Sequence, residues 1–492
     1  MGEGETMSMT SAGVRAQVAH PVIDADGHFV ELAPLLHDEI LGHLEDLGGA
    51  ALRARYLANP LKPTDTSTIL STRTLAGARE SWSSMPSWWG WPSENVVDRA
   101  TAHIPGLLYE RLDDFGIDFA ILYPSMTIGL LDIDDAELGS AVCRAVNRAH
   151  ARIFAPYADR MTVGALVPMQ RPDLAVEVLN EAVDLGFKSC LISAYARRPI
   201  AKLEKLHGSL SPKVYRLDHF GLDSQYDYDA FWQACVDRKI APSVHSSVQY
   251  HDISRSVSNY VYNHIDGIGK CHEAMAKSLF LGGVTHRFPT LRFGFLEGGV
   301  GWAAGLYSAL LGHYEKRNAR DIWQFDPDRL DVDRLMTYVE SHGDDATARE
   351  TERLRAWFTA PAARPAELDD FAAVHIASAT DLRDKFVPNF YFGCEADDPL
   401  VAWAFNDRVN PHGAKLRAVF GSDISHWDVP DMTDTVAEAW ELVEHGTIDE
   451  SSFRDFVFTN PVRLHAAMNP DYFTGTVVET AVAEAIAKGE AQ

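Results

Sequence analysis

The stretch Val22–Glu31 reads VIDADGHFVE and joins an apolar strand pattern to acidic side chains and an imidazole. We expect Val22 to Asp26 to form a buried strand that continues through Gly27 to His28. Seven more runs of this kind follow, at 117–123, 161–167, 187–193, 240–247, 291–297, 389–393 and 417–422. Amphipathic segments with apolar residues three and four apart separate them. Eight strands alternating with helices predict an α/β fold, the (β/α)8 TIM barrel.

The domain organisation follows from the connections, several of which are too long for simple βα loops. We predict one barrel over 21–470, a flexible tail at 1–20 and a C-terminal helix or tail at 471–492. Insertions are expected at about 32–105, 196–227 and 315–385. The first contains four tryptophans that either cover a site or pack the insertion onto the barrel. They are Trp82, Trp88, Trp89 and Trp91.

Composition and charge exclude several classes of protein. The chain has 492 residues, 46% hydrophobic and 23% charged, which is typical of a globular protein with a full core. Its net charge of −26 disfavours nucleic acid as a partner. The five cysteines lack a CxxC spacing, and we find neither a membrane span nor a signal peptide. These features predict a cytoplasmic protein with no membrane partner.

Metal-binding side chains recur where the predicted strands end. In a TIM barrel these ends share one mouth, so residues distant in sequence can meet there. Two imidazoles with two or more carboxylates suit zinc, iron or manganese. Taken singly, His28 and His245 could be buried structural histidines, and Asp423 could cap a helix. The candidates are Asp26, His28, Glu31, His245, Glu297, Asp423 and His426, whereas His264, His272 and His286 are expected to be surface or capping residues.

Four motifs carry a resemblance to a known family. They are VIDADGHFVE, APSVHSS at 241–247, FPTLRFGFLEGGVGW at 288–302 and FGSDISHWDVPD at 420–431. The chain resembles the amidohydrolase-related branch of the amidohydrolase superfamily, which includes aminocarboxymuconate semialdehyde decarboxylase-like enzymes. That resemblance implies Asp26, His28, His245 and Asp423 as metal ligands, with Asp423 also helping to activate water.

Two residues depart from the pattern that the resemblance implies. Asp26 stands where the decarboxylases often have histidine or glutamate, and Glu297 stands where many relatives have histidine. Carboxylates in place of imidazoles make the site harder and more anionic, which favours iron or manganese over zinc. The departures therefore leave the reaction and the metal open.

Three functions are compatible with this reading. The first is hydrolysis or non-oxidative decarboxylation of a small organic acid or amide, with one metal, most simply zinc, and with His245, Glu297, Asp423 and His426 as the catalytic groups. The second is an oxygen-dependent hydroxylase (monooxygenase) with two iron or manganese ions, because the motifs DADGHxxE and FLEGG resemble a dinuclear offshoot of the family. The third is a non-catalytic partner subunit of such an enzyme.

The substrate and the assembly are less sharply predicted. Three arginines of the insertions, Arg73, Arg99 and Arg197, are candidates for binding a substrate carboxylate. The partner is expected to be a small-molecule substrate. The family resemblance implies a homo-oligomer, and a heteromer with a related chain is also compatible.

Overall fold

The computed structural model describes residues 9–59, 73–87, 90–91, 93–207, 214–245, 255–265, 267–365 and 368–490. Eight parallel strands form the central sheet, in the order β1-β2-β3-β4-β7-β8-β9-β10. A separate antiparallel pair, β5 and β6, lies in the connection after β4. The strands are β1 Ile23–Phe29, β2 Phe119–Pro124, β3 Met161–Leu166, β4 Ser189–Ile192, β5 Ala196–Pro199, β6 Tyr215–Asp218, β7 Pro242–Val244, β8 Phe293–Phe295, β9 Phe390–Cys394 and β10 Arg417–Phe420.

Helices follow the barrel strands and fill the long connections. Helix α1 Ser11–Gln17 precedes β1, and from β1 to β4 they are α2 Ala33–Ala58, α3 Leu75–Ser81, α4 Val96–His103, α5 Pro105–Arg111, α6 Ala136–Phe154 and α7 Pro172–Asp184. From β5 to β8 they are α8 Ala201–His207, α9 Asp229–Asp237, α10 Tyr260–His264, α11 Gly267–Leu281 and α12 Val284–Arg287. After β8 they are α13 Gly301–Arg317, α14 Val332–His342, α15 Asp345–Arg349, α16 Thr351–Phe358, α17 Ala379–Phe386, α18 Val401–Phe405, α19 Thr435–Glu444, α20 Glu450–Arg454, α21 Asn460–Ala466 and α22 Glu479–Ala487.

Local signals in the sequence explain where the crossover helices begin. The side chain of Asp135 caps α6 by accepting a hydrogen bond from the Leu138 N–H at 3.2 Å. Pro172 occupies the first turn of α7, where its missing N–H costs nothing. Both helices turn an apolar face to the sheet. The eight parallel strands with helices between them confirm the predicted TIM barrel.

A seam of hydrogen bonds joins β1 to the end of β10 and brings the two ends of the sheet together. The Asp423 N–H donates to the Asp26 carbonyl at 3.1 Å. The buried Asp24 carboxylate accepts from the Ser422 N–H at 3.0 Å and from the Ser422 hydroxyl at 2.6 Å. Burial raises the pKa of Asp24 to about 6, although these hydrogen bonds act in the opposite direction.

The N-terminal expectation was wrong for residues 11–17, which form helix α1 instead of a loose tail. Val14 of this helix is fully buried. The Ser11 hydroxyl accepts hydrogen bonds from the N–H groups of Val436 and Ala437, at 3.1 and 3.0 Å. The buried Val14, the Ser11 hydroxyl and an ion pair between Arg15 and Asp118 hold this segment, which its polar composition hid.

The tryptophan-rich insertion can be compared with its prediction only in part, because Trp88 and Trp89 lie outside the described residues. Trp82 is exposed, and Trp91 lies under the Arg99 guanidinium at 5.2 Å. The insertion contacts the segment after β7, since the Met85 N–H donates to the Ser256 carbonyl at 2.9 Å. Among the described helices, none is both long and apolar enough to cross a bilayer.

Candidate metal centre

A bulge in β1 presents two of the predicted ligands. The pairing of β1 with β2 shifts register between Asp24 and Gly27. A Cβ on Gly27 would lie 2.4 Å from an Asp24 carboxylate oxygen, so only glycine fits between Asp26 and His28. Gly421, directly after β10, is constrained in the same way, because its Cβ would lie 2.9 Å from that of Asp26. Glycines thus let the ends of β1 and β10 approach closely.

The two acidic residues that follow β8 and β10 adopt unusual backbone conformations. Glu297 has a φ of 55° and Asp423 a φ of 47°, in the left-handed region that non-glycine residues seldom occupy. Ser425, with a φ of 83°, follows in the same loop. Its hydroxyl donates to the His28 carbonyl at 3.1 Å. Such strain persists only where the surroundings hold it, and it concentrates at functional sites.

Six of the seven predicted ligands come together at the mouth. Donor atoms of Asp26, His28 and His245 lie within 4.8 Å of one another, and so do donor atoms of His28, Glu297, Asp423 and His426. His28 belongs to both groups, and its ring stacks on that of His426 at 3.9 Å. We refer to these six residues as the mouth cluster.

The seventh candidate, Glu31, belongs to neither of these groups. Its carboxylate accepts hydrogen bonds from the Met126 N–H at 2.8 Å and from the Thr127 hydroxyl at 2.5 Å. The chain has already left β1 at this point and turns towards α2. The backbone and hydroxyl of the loop after β2 therefore hold Glu31 apart from the mouth cluster.

Close contacts pair the members of the cluster. The Nε2 atom of His245 lies 2.6 Å from a Glu297 oxygen, and the Nδ1 atom of His426 lies 2.6 Å from Oδ1 of Asp423. The Nε2 atom of His28 lies 3.3 Å from that same Asp423 oxygen and 3.5 Å from Oδ1 of Asp26. Each histidine therefore has a carboxylate beside it.

Burial governs the protonation of these groups. Burial raises the pKa of Asp26 well above its ordinary value, and burial together with Asp428 and Glu297 does the same for Asp423. Burial and the neighbouring His426 hold the pKa of His28 well below its usual range. Burial opposes the shift at Glu297, but His245 outweighs it and holds the pKa of this carboxyl low. The carboxylates of the mouth cluster thus have few positively charged neighbours that could stabilise their ionised forms.

Three groups at the mouth were missed or misjudged from the sequence. His264 of α10, expected at the surface, has its Nε2 atom 3.7 Å from Glu297 and packs against the Trp427 ring at 5.4 Å. Glu395 follows β9, and burial, Asp428 and Glu297 raise its pKa to about 8. His272 of α11 is fully buried, and burial lowers its pKa to about 3. His286 is exposed as expected.

A cavity of about 750 Å³ opens beside the mouth cluster, lined by Glu297 and His264. Trp302 and Trp403 form part of its walls. Four more acidic residues line it as well: Glu273, Glu395, Asp397 and Asp398. The cavity gives a small molecule a route to Glu297.

The chain is similar to known proteins of one family. The family model described as amidohydrolase matches residues 23–465, and no match was found among curated proteins. Among solved structures, an amidohydrolase from Mycobacterium avium subsp. paratuberculosis K-10 matches with a TM-score of 0.51 and 15% identity, over 91% of this chain and 99% of the other.

Two decarboxylase structures are also similar in fold. The 2,6-dihydroxybenzoate decarboxylase from Rhizobium matches with a TM-score of 0.45 and 16% identity, over 91% of this chain and 98% of the other. A dihydroxybenzoic acid decarboxylase from Polaromonas sp. JS666, with bound manganese and an inhibitor, matches with a TM-score of 0.46 and 15% identity, over 92% and 99%. The family match covers nearly the whole barrel, and the chain therefore belongs to the amidohydrolase family.

Proposed function

We propose that this protein is a metal-dependent hydrolase that activates water at the mouth cluster. The observation that carries the proposal is that donor atoms from the ends of β1, β7, β8 and β10 gather in two groups that share His28, with the atoms of each group within 4.8 Å of one another. The stability of the fold does not require imidazoles and carboxylates from such distant parts of the sequence to lie together. Their meeting at the strand ends, where TIM-barrel active sites lie, supports catalysis.

The donor set suits a divalent cation. Oδ1 of Asp26 and Nε2 of His28 are buried without a hydrogen-bond partner among the described residues. Buried polar atoms are normally satisfied, and their exceptions call for an ion or a ligand. Mixed imidazole and carboxylate donors are those of zinc, manganese and iron sites. We assign Asp26, His28, His245 and Asp423 as the residues that would hold the cation; the first three form one of the two donor groups, and Asp423 is linked to them through His28 in the other.

A bound divalent cation would supply Lewis acidity, polarising a substrate carbonyl and acidifying a water molecule. Asp423 would accept a proton from the attacking water, and its Oδ1 lies 2.6 Å from Nδ1 of His426, which can take that proton from it. His426 can carry the proton onward to the leaving group. Its Nε2 atom lies 3.0 Å from the Ser125 hydroxyl, which fixes the orientation of the ring. Glu297 orients His245 through their 2.6 Å contact.

The charge of the 750 Å³ cavity favours a neutral or cationic substrate. Five acidic side chains line it, against the single lysine Lys270, and of the five Glu395, with a pKa of about 8, is mainly uncharged at neutral pH. None of the three candidate arginines lines it. Arg73 donates to the Ser83 carbonyl at 3.1 Å, and Arg197 pairs with Asp134 at 3.0 Å. We therefore favour hydrolysis of a small amide over decarboxylation of an organic acid, which remains the alternative reaction.

A specific observation also favours a second candidate function, the dinuclear oxygen-dependent hydroxylase. The mouth cluster forms two donor groups that share His28, and the second contains two carboxylates. Carboxylates suit a pair of hard cations held a few ångströms apart. On this proposal Glu297 and His426 would be ligands of the second cation, whereas in the first proposal Glu297 orients His245 and His426 carries a proton.

Metal content and oxygen dependence separate the two candidates. We expect purified protein to contain about one divalent metal ion per chain and to hydrolyse amides equally well with and without oxygen. As a control, the variant His286→Ala, at an exposed histidine outside the mouth cluster, should retain the full metal content. Two metal ions per chain with turnover only in oxygen would replace the first proposal by the second. A metal-free protein that cannot be loaded would refute both.

A further inference from the structure

A second cavity, of about 260 Å³, lies outside the barrel in the layer of helices. Its walls come from the segment after β1, from α2 and from the end of α6. None of the six residues of the mouth cluster lines it. Most of the lining is apolar and includes Phe29, Leu36, Ile153 and Phe154. We refer to it as the α2–α6 cavity.

One buried side chain in this cavity lacks partners. The His150 side chain is only 1% exposed, and neither ring nitrogen makes a hydrogen bond within the described part of the chain. The nearest carboxylate oxygen, Oε1 of Glu31, lies 3.7 Å from Nε2, which is too long for a hydrogen bond. An unsatisfied buried polar group is unfavourable, so a hydrogen-bonding partner there is favoured.

The other polar groups of the cavity are already satisfied. Glu31 accepts from Met126 and Thr127, and Nδ1 of His103 lies 2.8 Å from the Val30 carbonyl oxygen. At the rim, Arg152 pairs with Glu39. The Glu31 carboxylate is occupied by neutral donors, Arg152 and Glu39 compensate each other, and most of the walls are apolar. A charged molecule would lose its hydration there without gaining a counter-charge.

We propose that the α2–α6 cavity binds a small uncharged molecule that has an apolar body and one hydroxyl group. Burial lowers the pKa of His150 to about 3, so the ring is neutral and offers one donor and one acceptor nitrogen. A hydroxyl group also donates and accepts, and it can bridge His150 and Glu31. The volume exceeds the roughly 150 Å³ that holds benzene, so a single ring fits. This site is independent of the proposed hydrolase function.

The location adds a structural connection to β1. The Phe29 ring meets the His150 ring edge-on at 5.1 Å and the Phe154 ring at 4.7 Å. Phe29 is the residue after His28, but its side chain lies on the opposite side of the strand, towards the helices. The occupant would therefore rest against the outer face of β1, the strand that carries Asp26 and His28.

Phenol and benzene, titrated separately into the full-length metal-loaded protein, test the proposal. Phenol should bind at least tenfold more tightly, because only phenol can satisfy His150. A crystal structure after a phenol soak should show the ring in the α2–α6 cavity with its oxygen near His150. Equal affinity for the two probes, or phenol found only at the mouth, would overturn the proposal. So would an ordered water molecule between His150 and Glu31 that phenol does not displace.

Variants sharpen the same titration. His150→Phe keeps a ring and removes both nitrogens, so phenol affinity should fall about tenfold and the preference over benzene should vanish. The control His286→Phe, at an exposed histidine, should bind phenol as the wild type does. If His150→Phe fails to fold, Leu35→Trp at the exposed rim should weaken both probes by obstructing the entrance. Unchanged phenol affinity in whichever of the two variants folds would contradict the assignment.

Discussion

Two neighbouring regions of the barrel use buried carboxylates in opposite ways. At the seam between β1 and β10, Asp24 accepts hydrogen bonds from Ser422 and from the Asp26 N–H. At the mouth, Oδ1 of Asp26, two residues along the same strand, has no hydrogen-bond partner among the described residues. Both side chains are buried. The difference indicates that Asp24 stabilises the fold, whereas Asp26 is left available for a ligand.

The largest expected effect is at the mouth, in the variant Asp423→Asn. The amide cannot accept the proton of the attacking water, and general-base catalysis contributes about 10²–10⁴-fold. We expect activity to fall by that factor while circular dichroism and the melting temperature show a folded protein. Turnover at the wild-type rate would refute the role that we assign to Asp423.

A smaller effect should appear in the pH dependence of metal binding. Burial raises the pKa values of Asp26 and Asp423 in the metal-free protein, so these groups keep their protons to a higher pH when no cation is present. A cation must displace those protons, and its affinity should therefore rise with pH. Competition with a chelator at several pH values should give about a tenfold rise per pH unit for each proton released. An affinity that is independent of pH would contradict this account.

At the seam, the variant Asp24→Asn should change how the free energy of unfolding depends on pH. The folded pKa of Asp24, about 6, lies above its ordinary value of 3.8. The stabilisation by the protonated form is complete below pH 4 and is lost as the pH rises through 6. The loss approaches about 3 kcal/mol, at 1.36 kcal/mol per pKa unit. The asparagine cannot ionise, so the stability difference between wild type and variant should change over this range.

Urea denaturation of both proteins at pH 4 and pH 7 measures that change. The wild type should lose stability relative to Asp24→Asn as the pH increases. Val409→Ala, at an exposed position, is a control whose difference from wild type should not vary with pH. A constant difference for Asp24→Asn would mean that the seam carboxylate does not titrate in this range.

Much of the barrel was predictable because its strands are short apolar runs and because all parallel strands end at one mouth. That geometry alone brings Asp26, His245 and Asp423 together. Glu31 could not be judged this way, since its position depends on the N–H groups that Met126 and Thr127 present. The face on which His272 lies, and the path that carries His264 to Glu297, depend on packing between α11 and the barrel. Periodicity in the sequence does not specify that packing.

The last comparison is between two glutamates, Glu297 and Glu31, both of which the sequence predicts as metal ligands. Glu297 lies within the mouth cluster, whereas hydrogen bonds from Met126 and Thr127 hold Glu31 outside it. Glu297→Gln should reduce metal affinity about 10–100-fold, the effect of losing a group that orients a ligand. Glu31→Gln should leave the metal-to-protein ratio unchanged and cost about 1–2 kcal/mol of stability, because an amide nitrogen replaces one acceptor oxygen. Metal loss in Glu31→Gln at unchanged stability would mean that both glutamates serve the cation and that the division drawn between these two regions is wrong.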